Sequence, residues 1–353
     1  MSRSRLNVGL IGAGRIGRLH AEHLARRLPA ARLVAIADVN EAAAQACASD
    51  VGDTASVRVC GDYRALLELP EVEAVVICSA TDTHAQIIEE AAQLGKHIFC
   101  EKPIDLTLAR IDRALGAVAR AGGAGVAGVA GVKLQIGFNR RFDASFARVR
   151  QAIQDGAIGT VWRLHLISRD PQPPPLGYIA SSGGLFLDMA IHDFDMACFL
   201  VGSPVVEVSA TAGVLVDPAI GAAGDVDTAV TVLQFANGAI GSIDNSRAAA
   251  YGYDQRVEVL GSRGMASTAN QYPNTATISD AAGVRRDVPL HFFMQRYTQS
   301  YLDELAAFID AVLLDGPVPV DGQAGRQAVV LGLAAERSYR EHRPVRVDEM
   351  SPI

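Results

Sequence analysis

The sequence predicts an α/β protein in which a doubly wound parallel sheet is followed by an α+β domain with a large open, mostly antiparallel sheet. A chain of 353 residues is long enough for two domains. Strand-like and helical segments alternate up to residue 137, which is typical of parallel sheets with helices on both faces. Beyond residue 204, strand-like segments follow one another without helices between them, which favours antiparallel pairing. We therefore predict domains over 1–137 and 138–353, with a C-terminal helix that can pack back on the first.

The composition argues against several classes of protein. The formal charge of −7 and the lack of a basic run argue against a nucleic-acid surface. No apolar run has the length of a transmembrane helix, and the opening MSRSRLNVGL lacks the apolar region of a signal peptide. The five cysteines show no CxxC pairing, which favours reduced thiols in a cytoplasm over disulfides or zinc. No metal site is expected, because no pair of histidines stands at ligand spacing near the acids that surround His192.

The first predicted strand, 6–11, leads into a glycine motif. The motif GAGRIG comprises Gly12, Ala13, Gly14, Arg15, Ile16 and Gly17. Its first glycine allows a tight turn, the second lets a pyrophosphate approach the backbone, and the third lets the next helix pack closely. That helix, predicted over 15–28, points its N-terminal amides toward the phosphate. Strand, motif and helix together predict a Rossmann domain that binds a dinucleotide.

A second predicted strand, 32–37, ends at Asp38, about 20 residues beyond the motif, the spacing expected of a ribose-binding acid. Such an acid binds the adenine ribose hydroxyls of NAD and repels the 2′-phosphate of NADP. Val39 and Asn40 offer no cation that would compensate a phosphate. The alternative is that Asp38 caps a turn or helix before Asn40, but the surrounding pattern favours the ribose role and hence NAD.

The remainder of the first domain continues the alternation. Helices are predicted over 41–48, 62–69, 84–94 and 107–120, and strands over 56–59, 73–77, 97–100 and 133–136. Ligands bind at the carboxyl ends of such strands, where the loops 12–17, 79–84 and 101–103 emerge. His20 and His23, on the first helix, are expected at the surface.

The second domain is predicted to combine helices with a sheet. Helices are predicted over 144–154, 183–202, 293–314 and 322–339, and strands over 160–168, 205–214, 228–235, 239–248, 255–260 and 264–268. Asn237 and Gly238 predict a hairpin turn, and PQPPPLG (171–177) predicts a rigid, non-helical loop. A cleft between two such domains is the default place for a ligand.

The predicted helix 183–202 contains the strongest candidates for catalytic residues. Asp188 and His192 are four residues apart, which would place them on one face of a continuous helix. A carboxylate beside an imidazole can orient and tune a general base. The alternative is a satisfied structural pair accompanied by solvated acids, Asp193 and Asp195, and the segment by itself does not decide between them.

These segments, in their order along the chain, resemble the Gfo/Idh/MocA oxidoreductase family, and within it the inositol 2-dehydrogenases. The resemblance rests on GLIGAGRIG, IADVN, CSATDTHA, FCEKP, GFNRRFD, GGLFLDMAIHDFDMACFLVG and the C-terminal DGQAGRQAVVLGLAAERSYREHRPVRV, and it covers essentially the whole chain. The combination of EKP with the DxxxH segment is specific for the family. The segment 121–132 (AGGAGVAGVAGV) departs from the family pattern, and we interpret it as a lengthened loop without a function of its own.

The resemblance implies NAD-dependent oxidation of a secondary alcohol on a cyclic polyol, most specifically myo-inositol to its 2-keto product. It implies His192 as the base, Asp188 as its orienting partner and Lys102 as the cation that stabilises the alkoxide, with a Lys–Pro bond that is often cis. The alternatives are a dehydrogenase for another sugar or inositol isomer, or a non-catalytic dinucleotide-binding sensor or repressor. Such sensors usually lose the lysine or the histidine, and this chain keeps both.

The resemblance also implies contacts around the reacting centre. Near the nicotinamide it implies Ser79, Thr81, His84, Glu101 and Lys102, and around the substrate Lys102, Arg140, Asp170, Asp188, His192 and Tyr253. For Arg140, Asp170 and Tyr253, a salt bridge or strand-edge role is the alternative. A homo-oligomer, dimeric or tetrameric, is expected, with no nucleic acid or membrane partner.

Overall fold

The computed structural model describes residues 5–52, 57–123 and 131–350. The chain divides into two compact units. The first contains Met1–Phe138 and Tyr301–Arg326, and the second contains Asn139–Ser300 and Gln327–Ile353. The segment 301–326 belongs with the first unit, whereas the sequence analysis assigned 138–353 to the second domain, with a C-terminal helix that can pack back on the first.

The first unit is built on a parallel sheet. Its described strands are β1 (Leu6–Ile11), β2 (Ala31–Ala37), β3 (Arg58–Cys60), β4 (Ala74–Ile77), β5 (His97–Glu101) and β6 (Leu134–Gly137). Their order is β3-β2-β1-β4-β5-β6, and every neighbouring pair is parallel. This is the order of a doubly wound Rossmann sheet, whose switch point lies between β1 and β4. The predicted fold class of this part of the chain is confirmed.

Helices connect these strands, and polar side chains begin two of them. They are α1 (Arg15–Glu22), α2 (Glu41–Asp50), α3 (Tyr63–Leu67), α4 (Thr81–Gln93) and α5 (Leu108–Gly123). A π-helical turn, His23–Arg27, extends α1. The side chains of Asn40 and Asp62 accept bonds from the first-turn amides of α2 and α3, which is the usual role of an N-cap.

The second unit is built on a larger, mixed sheet. The remaining elements, in chain order, are α6 (Ala144–Gln154), β7 (Val161–Arg169), α7 (Leu176–Ser182), α8 (Gly184–Asp188), α9 (Ile191–Val201), β8 (Val205–Gly213), α10 (Pro218–Ala222), β9 (Thr228–Phe235), β10 (Ile240–Ser246), β11 (Asp254–Gly261), β12 (Gly264–Thr268), β13 (Thr277–Asp280), β14 (Gly283–Arg286), α11 (Phe293–Leu313), α12 (Gly322–Glu341) and β15 (Val345–Arg346). The sheet order is β12-β11-β7-β10-β9-β8-β15. Among its described strands, β7 and β10 pair in parallel and the other neighbours are antiparallel. The predicted open, mostly antiparallel sheet is confirmed.

The predicted continuous helix over 183–202 is wrong. Gly183 and Gly184 adopt left-handed φ values of 87° and 75° and separate α7 from α8. A second break follows Asp188: the amide of Ala190 bonds to the carbonyl of Leu185, and α9 begins only at Ile191. Asp188 thus ends one helix and His192 belongs to the next, so the argument from four-residue spacing on one helix does not apply.

Smaller differences concern elements that the sequence analysis did not predict. These are the helix α7, which begins at Leu176 inside the segment 171–177 that was predicted as non-helical, the short helix α10, the ribbon formed by β13 and β14, and the edge strand β15. Of the glycine-rich segment 121–132, residues 124–130 lie outside the described residues, and α5 extends to Gly123. Over the described ranges, no helix combines the length and the apolar character needed to cross a membrane.

Part of the core of the first unit comes from the end of the chain. The buried cluster beneath β1 and β2 includes Leu305, Phe308 and Ile309 of α11. The ring of Phe308 meets that of Phe99 edge-on, with centroids 5.9 Å apart. Both rings are fully buried. Because α11 fills this core, the first unit cannot be complete without residues from beyond 300.

Replacing Phe308 with alanine should therefore destabilise the protein. Loss of a buried aromatic ring leaves a cavity and should lower the free energy of unfolding by about 3–5 kcal/mol. Urea denaturation followed by circular dichroism would measure this, with the exposed Leu314→Ala as control, where a change within about 0.5 kcal/mol is expected. Equal unfolding midpoints for the two variants would contradict the packing role of Phe308.

Candidate active site

The three glycines of the motif occupy three different environments. Gly12 has φ +97°, and a Cβ there would lie 2.6 Å from the backbone of Cys78. A Cβ on Gly17 would lie 1.9 Å from the carbonyl oxygen of Gly12, so helix and strand meet at backbone contact. A Cβ on Gly14 would meet nothing within 4 Å. The open backbone at Gly14, at the start of α1, fits the approach of a pyrophosphate.

Arg15 and Ile16 form the first turn of α1, where Arg15 is exposed and Ile16 is half-buried. Their amides belong to the helix N-terminus that would face a phosphate.

Asp38 follows β2 and is bonded to the glycine motif. Its Oδ2 accepts a bond from the amide of Ala13 at 2.7 Å, and its Oδ1 accepts one from the amide of Asn40 at 2.8 Å. Asp38 therefore caps the turn before Asn40, which the sequence analysis gave as the alternative role. It also holds the glycine motif in place. Carboxylate oxygens accept more than one hydrogen bond, so these contacts leave the ribose role as a prediction.

The loop after β4 and the first turn of α4 contain Ser79, Thr81 and His84. Thr81 begins the helix, and the hydroxyl of Ser79 lies 2.7 Å from that of Thr83. The ring nitrogens of His84 contact backbone oxygens, Nδ1 that of Pro103 at 2.8 Å and Nε2 that of Ser79 at 3.0 Å. His84 is buried, and burial lowers its pKa against the opposing effect of these carbonyls. His84 therefore joins two loops, and its contact with the cofactor stays a prediction.

The segment Glu101-Lys102-Pro103 ends β5, and the Lys102–Pro103 bond is cis, as the resemblance implies. The carboxylate of Glu101 lies 2.8 Å from Nε2 of His20. His20 is fully buried and His23 is 2 % exposed, so the expectation that these histidines lie at the surface is wrong. Burial, together with neighbouring charge, lowers the pKa of His23 to about 4.

Cys78 and Glu304 lie near the pair formed by His20 and Glu101. The ligand-type atoms of His20, Cys78 and Glu101 all fall within 4.8 Å of one another. The separation of His20 and Glu101 is that of a hydrogen bond, so we interpret the group as a buried hydrogen-bonded cluster. Burial raises the pKa of Glu304 well above its usual range, and the charge of Glu101 adds to that effect.

In the second unit, the carboxylate of Asp188 is bonded from two sides. Its Oδ1 accepts a bond from the hydroxyl of Tyr178 at 2.9 Å, and its Oδ2 lies 3.5 Å from the guanidinium of Arg247. His192 is half-buried in the first turn of α9. The sequence analysis missed Tyr178 and Arg247, since no local pattern links them to Asp188.

Arg140 forms a buried ion pair. Its Nη1 lies 2.7 Å from Oδ1 of Asp193, and its Nη2 donates to the hydroxyl of Ser168 at 3.2 Å. Asn245 donates to the other carboxylate oxygen of Asp193 at 2.8 Å. Asp195 is buried too, and Arg141 binds it through two bonds. Asp193 and Asp195 are therefore not solvated acids, and for Arg140 the salt-bridge alternative is observed.

Asp170 and Tyr253 lie in the same charged environment. The pKa of Asp170 is raised to about 6: burial and, after it, the charge of Asp188 raise it, and the charges of Arg247 and Arg140 oppose the rise. Tyr253 is 6 % exposed and packs edge-on against Tyr297, with ring centroids 6.1 Å apart. Burial is also the main cause that raises the pKa of Tyr253, while the charge of Arg140 opposes the rise and that of Asp170 adds to it. The sequence-predicted wall residues of the second unit thus share one polar cluster.

Two family models match the chain. Residues 6–128 match the oxidoreductase family with an NAD-binding Rossmann fold, and residues 146–267 match the GFO/IDH/MocA C-terminal domain. The chain is 46% identical to the myo-inositol 2-dehydrogenase of Thermotoga maritima over 98% of this chain and 99% of that protein.

Solved structures are similar over nearly the whole chain. A myo-inositol dehydrogenase from Corynebacterium glutamicum superposes with a TM-score of 0.89 at 34% identity, covering 99% of this chain and 100% of the other. A scyllo-inositol dehydrogenase from Lactobacillus casei, solved with bound NAD(H) and scyllo-inositol, superposes with a TM-score of 0.88 at 29% identity, covering 98% and 100%.

The glycine geometry predicts different outcomes for two alanine substitutions. Gly17→Ala should destabilise the protein by about 1–3 kcal/mol or more, because the new methyl group meets a backbone oxygen that cannot move aside. Gly14→Ala should keep the wild-type melting temperature but bind NAD at least about tenfold more weakly, a loss of about 1.4 kcal/mol. Thermal unfolding and NAD titration calorimetry would separate the two effects. Wild-type NAD affinity in Gly14→Ala would contradict the pyrophosphate role.

Proposed function

The chain belongs to the Gfo/Idh/MocA family of NAD-dependent oxidoreductases, and from this we propose that it oxidises the axial C2 hydroxyl of myo-inositol to the ketone. The observation that carries the substrate class is the polar cluster of the second unit. It is formed by Arg140, Asp170, Tyr178, Asp188, Arg247 and Tyr253. A wall of polar groups that are buried or half-buried, apart from the exposed Tyr178, suits a small molecule with hydroxyls on every side, because each group left unpaired lowers affinity.

NAD, when bound, supplies the acceptor for the hydride. The chain must then remove the hydroxyl proton and stabilise the developing alkoxide. We propose that His192 takes the proton, that Asp188 orients His192 and contacts the reacting hydroxyl, and that Lys102 supplies the positive charge. The backbone around Gly14 and the carboxylate of Asp38 are proposed to hold the dinucleotide.

A dehydrogenase for another inositol isomer or sugar is the second candidate. It is favoured by the similarity to the Lactobacillus casei enzyme, whose bound ligand is scyllo-inositol. A non-catalytic sensor or repressor is the third, but the chain retains Lys102, Asp188 and His192, which an enzyme requires.

The experiment that tests the proposal is a substrate panel. We would mix the protein and NAD with myo-, scyllo- and D-chiro-inositol, glucose, galactose and xylose at equal concentration and follow NADH absorbance. The highest kcat/KM is expected for myo-inositol. A preference for a pyranose over every inositol would overturn the substrate, and no NADH from any of them would favour the sensor.

We further propose that the protein is a cytoplasmic homo-oligomer, dimeric or tetrameric. All five cysteines are free, which suits a reducing compartment. One face of the large sheet exposes apolar side chains, including Val230, Val232, Ile240 and Leu260. A second copy of the chain covering this face would remove them from water.

Replacing the proposed base should abolish most turnover. His192→Ala should lower kcat by about 10²–10⁴-fold, the usual contribution of a positioned base. Lys102→Ala should be at least as damaging, and Asp188→Asn should also impair turnover. NAD affinity should survive in His192→Ala, because the glycine motif lies in the first unit. His165→Ala is the control, since His165 lies on β7 and contacts Ser242. Near-full turnover in a folded, NAD-binding His192→Ala would refute the assignment.

Asp38 should determine cofactor choice. The unmodified enzyme should prefer NAD, because the Asp38 carboxylate repels a 2′-phosphate. Asp38→Ser combined with Val39→Arg should shift the ratio of kcat/KM values toward NADP. Val39 is 96% exposed, so an arginine fits there without displacing a neighbour, and Val39→Arg alone is the control. If the unmodified protein uses NADP as readily as NAD, the role assigned to Asp38 is wrong.

A further inference from the structure

Arg247 is a buried cation to which the proposed reaction gives no role. It follows β10, and its side chain is 1% exposed. Its backbone amide donates to the carbonyl of Asp227 at 2.8 Å, which fixes the start of the side chain. A guanidinium buried to this extent needs anions around it, since an unpaired buried charge is strongly destabilising.

Two carboxylates supply that charge. Nη1 of Arg247 lies 3.5 Å from Oδ2 of Asp188, and Nη2 lies 3.3 Å from Oδ2 of Asp225. Nε finds no hydrogen-bond acceptor among the described residues. The planar fork of the guanidinium therefore joins Asp188 to Asp225 through its two terminal nitrogens.

Asp225 is itself fixed. Its Oδ1 accepts a bond from the amide of Leu185 at 3.0 Å, in the first turn of α8. A Cβ on Gly184 would lie 2.7 Å from the same oxygen, so Asp225 packs directly against the start of that helix. Asp225 thus holds the beginning of α8, and through Arg247 it is linked to Asp188 at the end of the same short helix.

We propose that Arg247 is a positioning residue that holds the carboxylate of Asp188 in its working orientation, with Asp225 as its anchor. The proposal rests on the proposed function, in which Asp188 orients His192 and contacts the reacting hydroxyl. With Oδ2 turned toward Arg247, Oδ1 faces the hydroxyl of Tyr178. A substrate hydroxyl can replace that tyrosine hydroxyl as donor without rotation of the carboxylate.

Arg247 also acts on a second wall residue. Asp170 faces Asp188, Arg247, Arg140 and Asp193, and the positive charge of Arg247 lowers the pKa of Asp170, which lies at about 6. Removing that charge should raise the pKa of Asp170. Asp170 would then stay protonated to a higher pH. Any step that needs its carboxylate would begin to slow at a higher pH as the pH is lowered.

The test uses the full-length protein with Arg247→Lys, Arg247→Gln and Asp225→Asn. Arg247→Gln should lower kcat/KM for myo-inositol by about 10- to 100-fold, because a small displacement of an orienting group is costly. Its acid limb in the pH profile of kcat/KM should move to higher pH. Arg247→Lys keeps the charge but not the fork, so it should lose part of the rate without moving the limb. Arg163→Gln, on an exposed side chain of β7, is the control, and NAD affinity should stay unchanged in all variants.

A double-mutant cycle separates positioning from a general structural effect. If Arg247 acts through Asp188, adding Arg247→Gln to Asp188→Asn should cause little further loss of kcat/KM at a pH above the acid limb, where Asp170 is ionised in all variants. Fully additive losses would overturn the proposal. Where Arg247→Gln fails to fold, Arg247→Lys and Asp225→Asn decide: wild-type kcat/KM in both, with folded protein, would overturn it. Undiminished turnover in Asp188→Asn would instead refute the role of Asp188 in the proposed function.

Discussion

Charge pairing inside the second unit is the constraint on which the candidate site depends. The segment from α8 to α9 carries three largely buried carboxylates, and each pairs with its own arginine, two from the turn at 139–142 and one that follows β10. The pairs are Asp188 with Arg247, Asp193 with Arg140, and Asp195 with Arg141. Removing one partner would leave an uncompensated buried charge. The pairs therefore fix where α9 lies relative to the strand β10 and the turn at 139–142.

The same arrangement produces a surface suited to hydroxyl groups. Asp170 has its pKa raised to about 6 by burial and by the charge of Asp188, while two arginines oppose the rise. Such a site offers acceptors and donors close together. A ligand with hydroxyls in several directions can satisfy both kinds of group, whereas an apolar alcohol would leave them unpaired.

In the first unit, close backbone contacts hold the candidate site in place. Gly12 and Gly17 have no space for a side chain, so the motif loop is pressed against the strands and helix around it. Asp38 bonds to the amide of Ala13, and His84 joins the loop after β4 to the loop after β5. These contacts hold together the loops at the carboxyl ends of the strands.

The sequence by itself determined the order of strands and helices in the first unit, its Rossmann class, the glycine motif and the acid after β2. These features depend on local patterns, such as apolar runs, glycine spacing and cap residues, which adjacent residues encode. Only the tertiary structure decided that His20 is buried, because Phe99 and Tyr301 pack around its ring. It alone decided the break after Asp188 and the pairing with Arg247, since that contact joins residues 59 positions apart. A local sequence pattern does not indicate which distant charged residue will pair with a buried charged residue.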